Sequence, residues 1–254
     1  MIDTHAHIYV DKFSSDRDEM LERAFSSGIS HIFMPNIDSD SIDAMLEVEA
    51  LYPKQCLAMM GLHPCSVDSD FEKQLYTVEQ WLGKRKFVAV GEMGLDLYRD
   101  KTYFEQQKEA FRIQANLAKK YDVPLVVHTR DSMEETINLL EELQDGNLKG
   151  IVHCFTGNIR DAERIIAAGF YIGLGGVATF KNGGISEVIP NIDVNKIVLE
   201  TDSPYLAPTP FRGKRNEPSY VNYVAKKVAE CYIITTEELE TITDKNALDI
   251  YQMN

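Results

Sequence analysis

The chain opens Met1-Ile-Asp-Thr-His-Ala-His-Ile8, and the reading of this stretch decides the fold. Ile2, Tyr9 and Val10 favour an extended backbone, so the segment reads as a short strand. Alternation along a strand then sends His5 and His7 to one face, together with Asp3. Two imidazoles side by side form half of a metal site; the plainer alternative is a solvated polar strand end. The balance tips because later segments repeat the pattern, each a short extended run ending in one candidate ligand.

Working outward, Met20, Leu21, Ala24 and Phe25 recur at helical spacing between Asp16 and Ser26, and Gly28 stops that helix. A strand at His31–Pro35 follows, then a helix capped by Ser39 or Ser41 and running to Leu51. The third strand is Cys56–Gly61, followed by the loop Leu62–Cys65 and a helix at Phe71–Leu82. The fourth, Phe87–Gly91, runs straight into Glu92. A long helix at Thr102–Tyr121, a strand at Pro124–His128, a helix at Ser132–Glu142 and a strand at Gly150–Phe155 continue the alternation. A helix at Ile159–Ala168, strands at Phe170–Leu174 and Lys196–Asp202, and helices at Pro218–Cys231 and Thr236–Tyr251 close the chain. Several strands are continuous apolar runs, as expected when both faces of a parallel sheet are buried. The expectation is an α/β chain forming a single (β/α)8 barrel over residues 1–254, its metal site at the C-terminal rim. An open doubly wound sheet is the alternative, but no GxGxxG follows the first strand.

A length of 254 residues and 44% hydrophobic content suit one such barrel with a substantial core. No apolar run reaches transmembrane length, and no basic segment followed by an apolar one begins the chain, so neither a membrane span nor a leader is expected. The four cysteines are scattered without a CxxC pair, which fits reduced thiols in the cytoplasm. The formal net charge of -14 argues against coating nucleic acid non-specifically. Any phosphate-bearing substrate must be held locally, by metal ions and a few placed cations, in a pocket.

Barrel active sites gather at the C-terminal strand ends. There the reading places His5, His7, His63, Glu92, His128, His153 and Asp202; His31, at the start of its strand, falls on the opposite rim and is structural. Each residue alone has a bland alternative, a hydrogen-bonded histidine or a solvated acid. Together, His5, His7, Glu92, His128, His153 and Asp202 are too many ligands for one hydrolytic ion. They suit two divalent ions, Mg, Mn or Zn, with Glu92 as the bridge. Such a pair activates a water for hydrolysis, and Asp202 is placed to accept its proton. Glu200, on the same face, is a supporting partner, a further ligand, or a buried acid held by a cation. Arg130 after the fifth strand, and Arg212, Lys214 and Arg215 after the eighth, are available to phosphate or to neighbouring acids. Gly175-Gly176 and Gly183-Gly184 bracket Thr179-Phe180-Lys181, a mobile or substrate-fitted loop after the seventh strand.

The ordered blocks Ile2-Asp-Thr-His-Ala-His7, Gly61-Leu-His-Pro64, Gly91-Glu-Met-Gly-Leu-Asp96, Pro124-Leu-Val-Val-His-Thr-Arg-Asp131, His153-Cys-Phe-Thr-Gly157, Leu199-Glu-Thr-Asp-Ser-Pro-Tyr-Leu206 and Arg212-Gly-Lys-Arg-Asn-Glu-Pro218 span nearly the whole chain. Together they resemble the TatD family of metal-dependent deoxyribonucleases, within the amidohydrolase superfamily. The resemblance implies a metal-dependent hydrolase of DNA phosphodiesters, often a 3'-to-5' exonuclease. It implies that His5, His7, Glu92, His128, His153 and Asp202 hold metal. It implies that His63 contacts the substrate phosphate or assists the leaving group. Arg130, Arg212 and Lys214 are then the expected substrate contacts, short or single-stranded DNA ends the expected partner, and no obligate protein partner is inferred. No interleaved aromatic and basic pattern marks a single-strand channel, although Phe155, Phe180, Tyr205 and Phe211 are available to stack a terminal base. A dimetal hydrolase of another ester, such as an aminoacyl-tRNA, and a non-catalytic binding protein are the alternatives.

Overall fold

A computed structural model describes residues 1–98 and 100–253. Strands β1 (Ile2–Asp3), β2 (His31–Met34) and β3 (Cys56–Ala58) alternate with helices α1 (Arg17–Ser26), α2 (Ile42–Leu51) and α3 (Phe71–Lys84). Strands β4 (Val90–Asp96), β5 (Leu125–Arg130), β6 (Gly150–Val152) and β7 (Phe170–Leu174) are separated by α4 (Phe104–Tyr121), α5 (Met133–Leu143) and α6 (Ile159–Ala167). A short α7 (Ile185–Val188), β8 (Ile197–Leu199), α8 (Val221–Tyr232) and α9 (Thr236–Ile250) complete the chain. All pairings are parallel, β1 to β3 in one run and β4 to β8 in another.

Two seams join the runs into a barrel. On one side Met60 bridges Val90, and Gly91 N–H donates to the Met60 carbonyl at 3.1 Å. On the other, Ala6 bridges Ser203, Thr4 N–H donates to the Leu199 carbonyl at 3.0 Å, and Asp202 N–H donates to the His5 carbonyl at 2.9 Å. The second seam brings the two chain-distant ends of the candidate site into register.

Strand alternation explains the layering. Ile2, Phe33, Met59, Ala89, Val126, Ile151 and Val198, drawn from different strands or their edges, meet in one buried cluster inside the barrel. Ala247, Ile250 and Tyr251 plug its lower end, with the Tyr251 ring stacked on Phe33 at 4.0 Å. Neighbours of opposite parity, such as Ile32, Met34, Leu125, Val127, Ile197 and Leu199, pack outward against the helices. Two residues above Val126, Ile151 and Val198 on the interior line come His128, His153 and Glu200. The candidate site is thus the uppermost interior layer.

Several boundaries differ from the sequence reading. The first strand ends early because Arg17 donates to the carbonyls of Ile8 and Tyr9, at 3.0 and 2.8 Å, and holds the chain in a turn. The fourth strand begins later and continues through Glu92 to Asp96. There Gly94, at φ +148°, lets β4 approach β5; a Cβ would lie 2.0 Å from the His128 carbonyl oxygen. Ser41 holds the N-cap position of α2 as expected, without a side-chain cap hydrogen bond, and the capping box belongs to the 3-10 turn before it, where the Asp38 carboxylate accepts from the N–H groups of Asp40 and Ser41. Cys56, Cys65, Cys154 and Cys231 are free thiols, and among the described residues no helix is long and apolar enough to cross a membrane.

The loop after β8 is anchored by charge. Arg215 grips Asp16 through two hydrogen bonds of 2.7 and 2.6 Å, and Arg23 grips Glu217 through two of 3.1 and 2.7 Å. The Arg215 hydrogen bonds hold the Asp16 carboxyl below its ordinary value. Burial would raise Glu217, but Arg23 and Ser219 outweigh it and lower it. Acids with lowered folded-state values stabilise the fold above the unfolded carboxylate range, and lose that contribution as pH falls through the folded values. Arg215→Ala should therefore lower the thermal midpoint by about 2 °C at pH 7. The gap between wild type and variant should shrink as pH falls through the lowered Asp16 value, and a gap independent of pH in calorimetry would refute the clamp.

Candidate metal centre

Glu92 is the centre of the site. Backbone hydrogen bonds seat it: its own N–H donates to the Asn36 carbonyl at 3.1 Å, and Asn36 N–H donates to the Gly91 carbonyl at 3.1 Å. Its carboxylate is buried and reaches both sides of the barrel mouth. Oε2 lies 3.1 Å from His5 Nε2 and 3.2 Å from His7 Nε2. Oε1 lies 2.8 Å from His128 Nδ1, 2.8 Å from His153 Nε2 and 3.4 Å from His63 Nε2. Asp202, at φ +55° just past β8, turns Oδ1 to within 3.8 Å of His5 Nε2 and 3.7 Å of His7 Nε2.

Partners outside this ring decide which nitrogen faces inward. Tyr9 donates its only hydroxyl proton to the Pro35 carbonyl at 2.6 Å, so its oxygen accepts from His7 Nδ1–H at 3.1 Å. His7 Nε2 then presents a lone pair to Glu92 and Asp202. Asp96 accepts from His128 Nε2–H at 3.0 Å, which leaves the Nδ1 lone pair aimed at Glu92. Glu200, fully buried, lies 3.5 Å behind His153 Nδ1 and accepts from Cys154 N–H at 2.6 Å. Gly173 makes the room for it, since a Cβ there would sit 2.6 Å from a Glu200 oxygen. His63 is the exception. Cys65 N–H donates to its Nδ1 at 3.0 Å, so the neutral ring carries its proton on Nε2 and presents a donor.

Lone pairs converging on carboxylate oxygens repel unless positive charge stands between them. Without a bound ion, protons supply it. Burial would raise the Glu92 carboxyl, but the charges of His153, His5 and His63, with the His128 hydrogen bond, hold it well below the usual carboxylate range. Burial would lower His153, yet Glu92 and Glu200 hold it well above the usual imidazole range. A divalent cation fits the same donor set with less proton uptake. Three triads lie compactly enough to hold one: His5, His7 and Glu92; His63, Glu92 and His128; and His5, His153 and Asp202. Because His63 presents N–H rather than a lone pair, the second triad is served by Glu92 and His128 with His153 adjacent.

The structure brings His5, His7, His63, Glu92, His128, His153 and Asp202 together. It leaves Arg130, Arg212 and Lys214 exposed on the rim outside that cluster. Arg130 lies over the Tyr98 ring at 3.7 Å and Arg212 over Phe180 at 3.9 Å. Of the basic run after β8, Arg215 is taken by Asp16. Asp3 turns away from the cluster and ties β1 to Thr201 through hydrogen bonds of 2.9 and 2.6 Å. Asp96 and Tyr9 are supporting residues that the sequence reading missed, and the Glu92, Gly94, Asp96 alternation was the available signal for the first. Beside His63 and His128 opens a cavity of about 330 Å³ lined by Cys65, Asp68, Asp96, Tyr103 and Gln107 among others.

A family model described as TatD related DNase matches residues 2–252. The chain belongs to the TatD family. It is 38% identical over the full length of both chains to the "uncharacterized metal-dependent hydrolase YabD" of Bacillus subtilis. It is 30% identical, again across all of both chains, to a protein of Pectobacterium atrosepticum named 3'-5' ssDNA/RNA exonuclease TatD. The crystal structure of YjjV, a TatD homologue from Escherichia coli, superposes with a TM-score of 0.94 at 30% identity, covering 100% of this chain and 98% of that one. Membership makes this chain a metal-dependent hydrolase of the TIM-barrel class.

In this TatD-family site Asp96 accepts from His128 Nε2–H and orients the ring. Asp96→Ala should weaken divalent-ion binding about 10- to 100-fold, read by competition with a chromophoric chelator. An unchanged affinity would show that His128 needs no such partner.

Proposed function

We propose that residues 1–254 act as one cytoplasmic barrel that hydrolyses DNA phosphodiesters from the 3' end of single-stranded or frayed strands. His5, His7, Glu92, His128, His153 and Asp202 would hold two divalent ions, Mg, Mn or Zn. One observation carries the reading: the two oxygens of Glu92 face separate imidazole sets, His5 with His7 and His128 with His153, as a bridging ligand requires. The name of the Pectobacterium relative and the description of the family model support the choice of substrate. The four free thiols support the reducing compartment.

Bound divalent ions would polarise a phosphoryl oxygen and make a water acidic enough to attack at neutral pH. The protein's own groups do the rest. Asp202, partly open to solvent and beside His5 and His7, takes the water's proton at Oδ1. His63 Nε2–H, facing the cluster from the opposite side, donates to the departing oxygen. Asp96 and Tyr9 fix the ring orientations of His128 and His7, and Glu200 stands behind His153. Arg130, Arg212 and Lys214 on the rim offset the charge of flanking phosphates.

Metal-stripped protein should be inert toward 5'-labelled single-stranded DNA, and a divalent ion should restore stepwise shortening from the 3' end. Glu92→Ala should abolish it, and Asp202→Asn should lower kcat about 10²- to 10⁴-fold. If no ion supports shortening while an aminoacyl-tRNA or simple ester is turned over, DNA is the wrong substrate. A second measurement isolates His63. His63→Ala should slow release of a nucleoside far more than release of p-nitrophenolate, which leaves without a proton; equal losses would remove its role as acid.

A further inference from the structure

Two cation–aromatic pairs stand on the rim on opposite sides of the metal centre. On one side Arg130 lies over Tyr98, guanidinium to ring centroid 3.7 Å. Arg130 is two residues beyond His128 on the same strand face and is the register partner of Asp96, which holds His128. On the other side Lys12 lies over Tyr205 at 4.6 Å, and that ring meets the His7 imidazole edge-on at 6.1 Å. Tyr205 N–H donates to the Asp202 carbonyl at 2.8 Å, which ties the ring's position to the site. Each pair joins side chains from two different segments of the chain, and each is one layer above the metal-facing groups.

Both rings are open to solvent, Tyr98 at 58% and Tyr205 at 43% exposure, with Leu206 at 41% beside the latter. Each ring keeps exposed surface at the barrel mouth beyond its contact with the neighbouring cation, and that surface is available to a ligand. The ligand chemistry follows from the pairs. An aromatic face stacks on a nucleobase, and a cation beside it meets the adjoining phosphate, which is the combination used to hold single strands without reading sequence. In a chain of net charge -14 such cations are informative where they stand beside the reactive centre. The other aromatic candidates are less available: Phe155 is buried, Phe180 is only half-exposed beneath Arg212, and Phe211 stacks on Tyr220 at 4.3 Å.

Building on the nuclease reading above, we propose that Tyr98 with Arg130 and Tyr205 with Lys12 form a two-sided base clamp, one nucleobase stacking on each side of the scissile phosphate. The clamp excludes duplex, whose bases are stacked on one another and face inward. It favours a strand with a base on both sides of the bond over a nucleotide ester with a base on one side only.

The test is a cycle between base and ring. A short single-stranded oligonucleotide with hydrolysis-resistant phosphorothioate linkages is titrated against the full chain with Mn²⁺ present, followed by fluorescence anisotropy. An abasic residue is moved stepwise along it. Two positions should each weaken binding about tenfold. One of these penalties should vanish in Tyr98→Ala and the other in Tyr205→Ala, while Tyr98→Phe and Tyr205→Phe, which keep the stacking ring, should retain both. Penalties of the same size in wild type and both alanine variants, or no abasic-sensitive position, would overturn the clamp. Hydrolysis of the ordinary phosphodiester strand is followed in parallel. Shortening with base-insensitive binding discards the clamp and keeps the nuclease; ring-dependent binding without shortening keeps the clamp and discards the nuclease.

Discussion

A single buried carboxylate shared among five imidazoles is the constraint on which the rest of this structure depends. Glu92 sits within 3.4 Å of nitrogens on His5, His7, His63, His128 and His153. An acid so placed is costly unless positive charge surrounds it, and imidazole lone pairs so placed are costly unless positive charge lies between them. A cation in the middle answers both costs with less proton uptake. The outer partners Tyr9, Asp96 and Glu200 suit that arrangement. Each engages or backs the far side of a histidine and so leaves the near side as a donor of electrons. His63 is wired the opposite way: its Nδ1 accepts from Cys65 N–H, and its Nε2 turns an N–H toward Glu92.

Barrel closure is what makes the sharing possible. Glu92 comes from the run β4 to β8, whereas His5 and His7 come from the run β1 to β3, and Asp202 follows the last strand. The seam through Ala6 and Ser203 fixes Asp202 against His5, and the seam through Met60 and Val90 fixes Glu92 against the loop carrying His63. Below this layer, Phe33, Val126, Ile151 and Val198 fill the barrel and leave the polar groups no room to sink. The site is therefore held from beneath by packing and from the sides by backbone hydrogen bonds.

Much of this was legible in the chain itself, because strand alternation is a local property. Val126 to His128 and Ile151 to His153 each show an apolar interior residue followed by a ligand two places on, which any short window reveals. The extent of β4 was not legible. The segment after Val90 contains two glycines, which carry little preference for strand, and it is extended only because β5 pairs with it and Gly94 admits the close approach. The supporting role of Asp96 was hidden for the same reason. The rim pairs were invisible because Lys12 and Tyr205, like Tyr98 and Arg130, meet only after the barrel closes.

The acidic composition and a polyanionic substrate are compatible once distance is considered. Many acids are spent on the outer helices: Arg164 on α6 binds Glu134 and Glu141 of α5, and Arg112 on α4 binds Glu142. At physiological ionic strength exposed charges more than about 8 Å away are largely screened. A strand arriving at the barrel mouth meets the nearby field, set by Lys12 and Arg130 above the metal-facing layer, more than the net charge of the whole chain. Long-range repulsion then disfavours broad contact along a duplex, while the local cations still reward a short strand that enters end-on. On the proposed nuclease reading, the same distribution that makes this chain a poor coat for nucleic acid suits its mouth to a strand end.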